Sequence, residues 1–378
     1  MDHSEHDTQK QVLVQKSHGT RIVILNRPKQ LNALSYTMIT RLLDLFLEFE
    51  QDDSVNLIIL KGTGRAFCAG GDVTAVVHDV ADGNWLRGAN FFRKEFTFNY
   101  LSATYGKPQV SILNGIVMGG GAGASMHGQF RVATENSIFS MPETILGLFP
   151  DVGATYFLPR LPGFLGEYLG LTGARLDGPE MLRCGLATHF VKAERLPKVE
   201  EALSNLNAFN PIQISSVLDD FSHAPSLKQK SDWHRLSQIN KCFSRRTVED
   251  ILSALEKEVP DEWAVKTIDL LKRASPTSLK ICLKSIREGR LMGVGQCLMR
   301  EYRMVSRVLQ GKLSRDFYEG CRALLIDKDK NPKWVPFSLK DVSDGMVQQY
   351  FSSIEDTEWE DLTFPHRINV PPFAFAKL

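Results

Sequence analysis

Two stretches, 11–17 and 20–26, are apolar and rich in β-branched residues, with His18-Gly19 between them. The pattern predicts a β-hairpin that Pro28 ends. Ser35 is placed to cap a helix from about Tyr36 to Glu50. Ile39, Leu42, Leu43, Phe46 and Leu47 recur at helical spacing and predict one buried face. Asn56–Lys61, Val110–Leu113 and residues 130–134 are short apolar runs of the kind that form buried strands, and glycine clusters follow the first two. Strands alternating with helices predict an α/β layering. From Ser226 onward the periodicity is mostly helical, with Arg, Lys and Glu set among Leu, Ile and Met. The expected organisation is a core domain over residues 1–205 and a mainly helical region over 206–378.

Composition narrows the class of protein. The chain has 378 residues, 43% of them hydrophobic, with a net charge of +1 and no long run of one sign. That balance points away from nucleic acid and anionic membrane as main partners. No apolar run approaches the length of a membrane span. The six cysteines are scattered without a C-x-x-C pair, which fits reduced thiols and weakens zinc or redox readings. No Asp/Glu/His grouping calls for a metal, and no separate cofactor is expected. The N-terminal MDHSEHDTQK lacks both the apolar stretch of a secretory signal and the Arg-rich character of a transit peptide. The chain ends Ala376-Lys377-Leu378, a small–basic–Leu tripeptide close to the S-K-L address read by the peroxisomal import receptor.

Two glycine-rich turns carry candidate chemistry. Arg65-Ala-Phe-Cys-Ala-Gly70-Gly71-Asp72 follows one apparent strand, and Asn114-Gly115 through Gly119-Gly120-Gly121-Ala122-Gly123 follows another. Glycine lets backbone approach a ligand closely, and paired N–H groups from two such turns can hold an oxyanion. Either turn alone reads better as an ordinary tight turn, and the two together, each after a buried strand, shift the balance. Gly119-x-Gly121-x-x-Ala124, with Glu143 beyond it, also fits a dinucleotide-binding fingerprint. Ser125 fails the nucleophile-elbow pattern because His127 stands where the last glycine is required. Ser125, His127 and His189 read as structural. Glu143 and Asp151 lie among Met, Leu, Phe and Pro, and an acid in apolar surroundings has a raised pKa, suited to general acid–base work.

Together these residues resemble the crotonase (enoyl-CoA hydratase/isomerase) superfamily. The likeness rests on Arg65–Asp72, on Asn114-Gly115 to Gly121, and on Met141-Pro-Glu143 with Gly147-Leu-Phe-Pro-Asp151, and it runs from about residue 11 to 200. Asn26-Arg27-Pro28 with Leu31-Asn32-Ala33-Leu34, and Leu171-Thr-Gly-Ala174 with Gly185-Leu-Ala187, extend it. His127–Thr134, Gly147–Gly153, Tyr156–Leu161 and the stretch from Phe243 to Trp334 are most similar to the superfamily branch that hydrolyses 3-hydroxyisobutyryl-CoA in valine breakdown, in its plant peroxisomal form.

The resemblance implies a ClpP/crotonase-like spiral of ββα units with a helical C-terminal region. It implies an acyl-CoA substrate, a peroxisomal location and, as in many crotonases, a homo-oligomer. Gly71 and Gly120 match the two oxyanion-hole donors, Glu143 and Asp151 the two acids, and Glu95 a glutamate at the substrate's hydroxyl end. Lysines of the C-terminal half are candidates for the nucleotide end of CoA. The hydratases carry a first catalytic glutamate just after the glycine triplet, where this chain has Gly123, and they usually have glycine where it has Asp151. Those two differences favour attack on a thioester carbonyl over hydration of a double bond. A hydratase or isomerase, and a CoA-binding homologue without activity, remain the rival expectations.

Overall fold

The computed structural model describes residues 11–206 and 209–371. Strands β1 (Val12–Ser17) and β2 (Thr20–Leu25) form the expected hairpin, with Val12 paired to Leu25 and Ser17 to Thr20. Helix α1 (Tyr36–Gln51) starts where Ser35 caps it, its Oγ accepting from the Met38 N–H at 3.1 Å. Its buried face is rotated from the expected one toward Met38, Leu45 and Phe49, leaving Leu47 exposed. That face packs against the helix over 85–103, where Phe46 meets Phe98 edge-on with ring centroids 5.0 Å apart, and the periodicity alone did not distinguish the two edges of the stripe.

The chain then alternates between two sheets. Strands β3 (Leu57–Gly62), β5 (Gln109–Leu113), β7 (Phe130–Ala133) and β10 (His189–Phe190) join the hairpin in a six-stranded sheet of order β1-β2-β3-β5-β7-β10. Strands β4 (Ala66–Cys68), β6 (Ile116–Met118), β8 (Ile138–Ser140) and β9 (Leu176–Asp177) form a second sheet in that order. Each of β3, β5 and β7 is therefore followed at once by a strand of the other sheet. Helix α2 (Trp85–Ala103) returns the chain from β4 to β5, and helix α3 (Gly120–Met126) returns it from β6 to β7. This is the expected spiral of ββα units. The large sheet is parallel except at β1, and β2, β3 and β5 are almost wholly buried on both faces, as parallel strands between helical layers are.

One layer beneath that sheet packs Ile22, Ile24, Leu57, Ile59, Val110 and Ile112 against helices α5 (Leu196–Ser204) and α6 (Pro211–Phe221). The second, larger core runs from Val12 to Leu362. It takes in helix α4 (Leu165–Thr172), helix α7 (Glu262–Arg273), helix α8 (Pro276–Gly289) and helix α9 (Val294–Gln310). The C-terminal helices thus share a core with the spiral rather than standing off from it.

Candidate functional site

Both glycine turns lie at the ends of short strands of the second sheet, which the sequence pattern concealed. The first is held by residues 26–34. The buried Asn32 side chain accepts from the Arg27 N–H at 2.8 Å and donates to the Thr63 and Ala66 carbonyls at 2.9 and 2.8 Å. Arg27 reaches the Asp72 carboxylate at 3.0 Å. Leu34 N–H then donates to Gly70 O, and Asp72 N–H to Leu34 O, at 2.8 and 2.9 Å. That register turns the Gly71 amide between them to the opposite side. Gly70 makes the turn at φ +121°, a backbone region only glycine enters readily.

The second turn places Gly119 (φ 46°, ψ −121°) before helix α3, so Gly120 supplies one of the helix's first, unpaired N–H groups. The two amides are close neighbours. A Cβ on Gly120 would collide with the Glu95 carboxylate and lie 3.0 Å from the Gly71 nitrogen. A Cβ on Gly119 would lie 2.9 Å from Glu143 Oε1.

Glu143 opens the turn Glu143–Leu146 directly after β8. Its neighbours are fixed by Ser140 Oγ donating to Gly173 O at 2.7 Å and by Ser275 N–H donating to Thr144 O at 3.1 Å. Glu95 comes from the middle of α2. Asp151 lies on a loop whose next residue, Val152, is left-handed at φ 54°, a conformation that costs a β-branched residue about 1–3 kcal/mol. His127 Nε2 donates to Val152 O at 2.8 Å, and burial pushes that imidazole down to about 4, so it stays neutral. His189 sits between Thr188 Oγ1 and Asp219, at 2.8 and 3.4 Å. Ser125 Oγ donates to Gly121 O at 2.8 Å. These three residues are structural, as the sequence pattern predicts.

Gly71, Gly120, Glu95, Glu143 and Asp151 all line one cavity of about 780 Å³. The three acids are at most 5% exposed, and Glu95 Oε1, Glu143 Oε2 and Asp151 Oδ2 have no hydrogen-bond partner. Polar atoms left so at the wall of a cavity are set to meet a ligand or water. Burial, with Glu143 adding repulsion, raises Glu95 to about 8, and burial raises Glu143 to about 8. Asp151 is pushed well above its ordinary value by burial, then by the charges of Glu95, Glu143 and Glu301. Three buried acids with raised proton affinity beside two backbone amides make a site able to stabilise an oxyanion and move protons.

Gly123 lies one turn along α3 from Gly120. A Cβ there would come within 2.5 Å of Val152 Cβ and 3.0 Å of the buried Asn99 Nδ2. The position where hydratases carry a glutamate therefore has no room for any side chain. The dinucleotide fingerprint is packing as well, because Gly121 is glycine so that helix α3 can press on the Cys68 backbone of β4.

Sequence reasoning did not find the far wall. Lys266 and Leu270 of α7 and Leu324 and Leu325 of the helical turn Arg322–Ile326 line the cavity, with Arg175 and Tyr168 from the core. Nor did it find Glu301, whose buried carboxylate accepts from Gly153 N–H at 2.7 Å and Thr155 N–H at 3.0 Å. These are tertiary placements across more than a hundred residues with no local signal. Amphipathic helices rich in Lys and Arg were the one hint.

Residues 20–351 match the enoyl-CoA hydratase/isomerase family, and the chain belongs to it. Within that family it is 63% identical to 3-hydroxyisobutyryl-CoA hydrolase 1 of Arabidopsis thaliana, over 98% of both chains. It is 44% identical to small ribosomal subunit protein mS47 of the same plant, over 94% of this chain and 89% of that one. Among solved structures, a carnitinyl-CoA dehydratase from Mycobacterium thermoresistibile superposes with a TM-score of 0.85 at 35% identity, covering 94% of this chain and 99% of that one.

Proposed function

We infer that this protein hydrolyses 3-hydroxyisobutyryl-CoA to 3-hydroxyisobutyrate and CoA, a step of valine breakdown. One observation carries the choice of hydrolysis over hydration. Glu95, Glu143 and Asp151 meet the Gly71 and Gly120 amides in one cavity, while Val152 fills the space beside Gly123. The high identity to a protein named for that hydrolysis supports the substrate.

In this reading the thioester oxygen rests on the Gly71 and Gly120 amides, which strengthen as it becomes an oxyanion. Glu143 either attacks the carbonyl carbon, giving an anhydride that water then opens, or takes the proton of an attacking water. On collapse of the tetrahedral species the C–S bond breaks and its electron pair leaves with sulfur. A thiolate with a thiol pKa of about 8.5 needs little acid assistance. Asp151 orients Glu143 or the water and carries the proton. Glu95 receives the substrate's hydroxyl. At the cavity mouth Lys266 and Arg175 have no ion-pair partner among the described residues, and they suit the phosphates of CoA.

Glu143→Gln should lower thiol release from 3-hydroxyisobutyryl-CoA by roughly 10²–10⁴-fold. A variant that kept the full rate would sink the assignment. Wild-type protein that released no thiol at all would favour a silent CoA-binding homologue. The Ala376-Lys377-Leu378 ending lies outside the described residues. We assign it to peroxisomal import, and a fluorescent fusion with those three residues deleted should lose peroxisomal targeting.

A further inference from the structure

The loop that carries Asp151 is held by a residue far from every glycine and acid motif. Val152 and Gly153 both have positive φ, at 54° and 83°, so the loop does not keep this shape by its own preference. Two side chains fix it from opposite sides. His127 donates to the Val152 carbonyl at 2.8 Å. Glu301, on α9 and wholly buried, accepts from the Gly153 N–H at 2.7 Å, from the Thr155 N–H at 3.0 Å and from the Thr155 hydroxyl. Gly153 is the residue before the short helical turn Ala154–Phe157, and that turn has no cap of its own. The C-terminal helix supplies one across 148 residues.

We propose that Glu301 is the positioning residue of the Asp151 loop: its carboxylate caps the Gly153–Thr155 turn and so fixes Asp151 at the oxyanion end of the cavity. The proposal rests on the hydrolase reading for its catalytic consequence, but not for its structural one. Glu301 faces Asp151 and Thr155 from the loop side, and Arg300 and Cys297 from its own helix. Burial raises it to about 7 against the hydrogen bonds that favour its ionised form. Its negative charge in turn adds to the proton affinity of Asp151.

Glutamine at this position keeps the volume but has only one acceptor for three donors, and it removes the charge. In Glu301→Gln the kcat for 3-hydroxyisobutyryl-CoA should fall roughly tenfold to a hundredfold with KM little changed, the cost of misplacing a group by about an ångström. The acid limb of the kcat profile is set jointly by Glu95, Glu143 and Asp151. It should move to lower pH, because a neighbouring negative charge is gone. Thr155→Val removes one donor and leaves the charge, so it should give a smaller kcat loss with the limb unmoved. Amide exchange over residues 151–157 should quicken in both variants.

If the wild-type enzyme releases thiol while Glu301→Gln keeps kcat within about twofold, an unmoved limb and unchanged exchange, the positioning role is wrong and the hydrolase reading stands. If the wild type is inert, the hydrolase reading fails, and exchange over 151–157 alone decides the role of Glu301. Should Glu301→Gln fail to fold, Thr155→Val decides it by the same readouts.

Discussion

At the Gly71–Gly120 end the cavity wall is main chain and buried carboxylate, whereas at the Lys266–Arg175 end it is exposed side chain. The first end is held by a lattice of short hydrogen bonds from Asn32, Leu34 and Asp72 and is set by two turns that only glycine makes easily. The second end has long, exposed cationic side chains with no ion-pair partner among the described residues. Under the proposed function the difference separates two tasks. Donors aimed at developing charge have to be fixed beforehand, since reorganisation during the reaction adds to the barrier. Phosphates held by point charges in solvent tolerate motion.

The contrast breaks most visibly at Gly120. Gly120→Ala places a methyl against the Glu95 carboxylate and 3.0 Å from the Gly71 nitrogen. It should lower kcat by about 10²–10³-fold in a steady-state thiol assay, as displacement of one oxyanion donor does, and cost about 1–3 kcal/mol of stability by overpacking. A kcat near that of the wild type would show that this end is not rigid.

Next in size is the pH dependence of stability. Glu95 and Glu143 are raised from 4.5 to about 8 in the folded protein. Between those values the folded state holds protons that the unfolded state has released, so stability falls as pH rises from about 4.5 through 8. Glu95→Gln should remove part of that fall. It should be more stable than the wild type at pH 8 by an amount on the order of a few kcal/mol, since a tenfold change in proton affinity is worth about 1.4 kcal/mol. Urea melts at pH 5 and pH 8 measure it, and parallel losses in both proteins would contradict the buried-acid account.

A smaller change is expected at Gly123. Gly123→Ala should cost about 1–3 kcal/mol by overpacking against Val152. Gly123→Glu should cost at least as much and gain no hydration of crotonyl-CoA, followed by loss of the conjugated thioester absorbance. Appearance of hydratase activity would mean that the Val152 loop yields. The smallest effect belongs to the mouth. Lys266→Ala and Arg175→Ala should each raise KM for the CoA thioester several-fold, about 1 kcal/mol per lost surface charge contact. The pantetheine thioester, which lacks the nucleotide, should react as before. Equal effects on both substrates would place the nucleotide elsewhere.

Much of the rigid end was legible in the sequence, because its signals are local. Gly70-Gly71, Gly119-Gly120 and the apolar company of Glu143 and Asp151 sit within short motifs, and the hairpin and α1 follow directly from periodicity. The second sheet was hidden. Its strands are two or three residues long and are flanked by the glycines that mark turns, so Ala66–Cys68 and Ile116–Met118 read as loop. Lys266, Leu324 and Glu301 were illegible for another reason. Nothing in the local pattern says what each is packed against, and only the packing of the C-terminal helices on the spiral brings Lys266 and Leu324 to the cavity and Glu301 to the Asp151 loop.

The reach of Glu301 across to Gly153 bears on how such a protein can be divided. A fragment ending near residue 205 would contain every glycine and acid named by the motifs. It would still lack the clamp on the Asp151 loop and the far wall of the cavity. Motif inheritance and site inheritance are therefore different units in this chain, and the site needs residues from both halves.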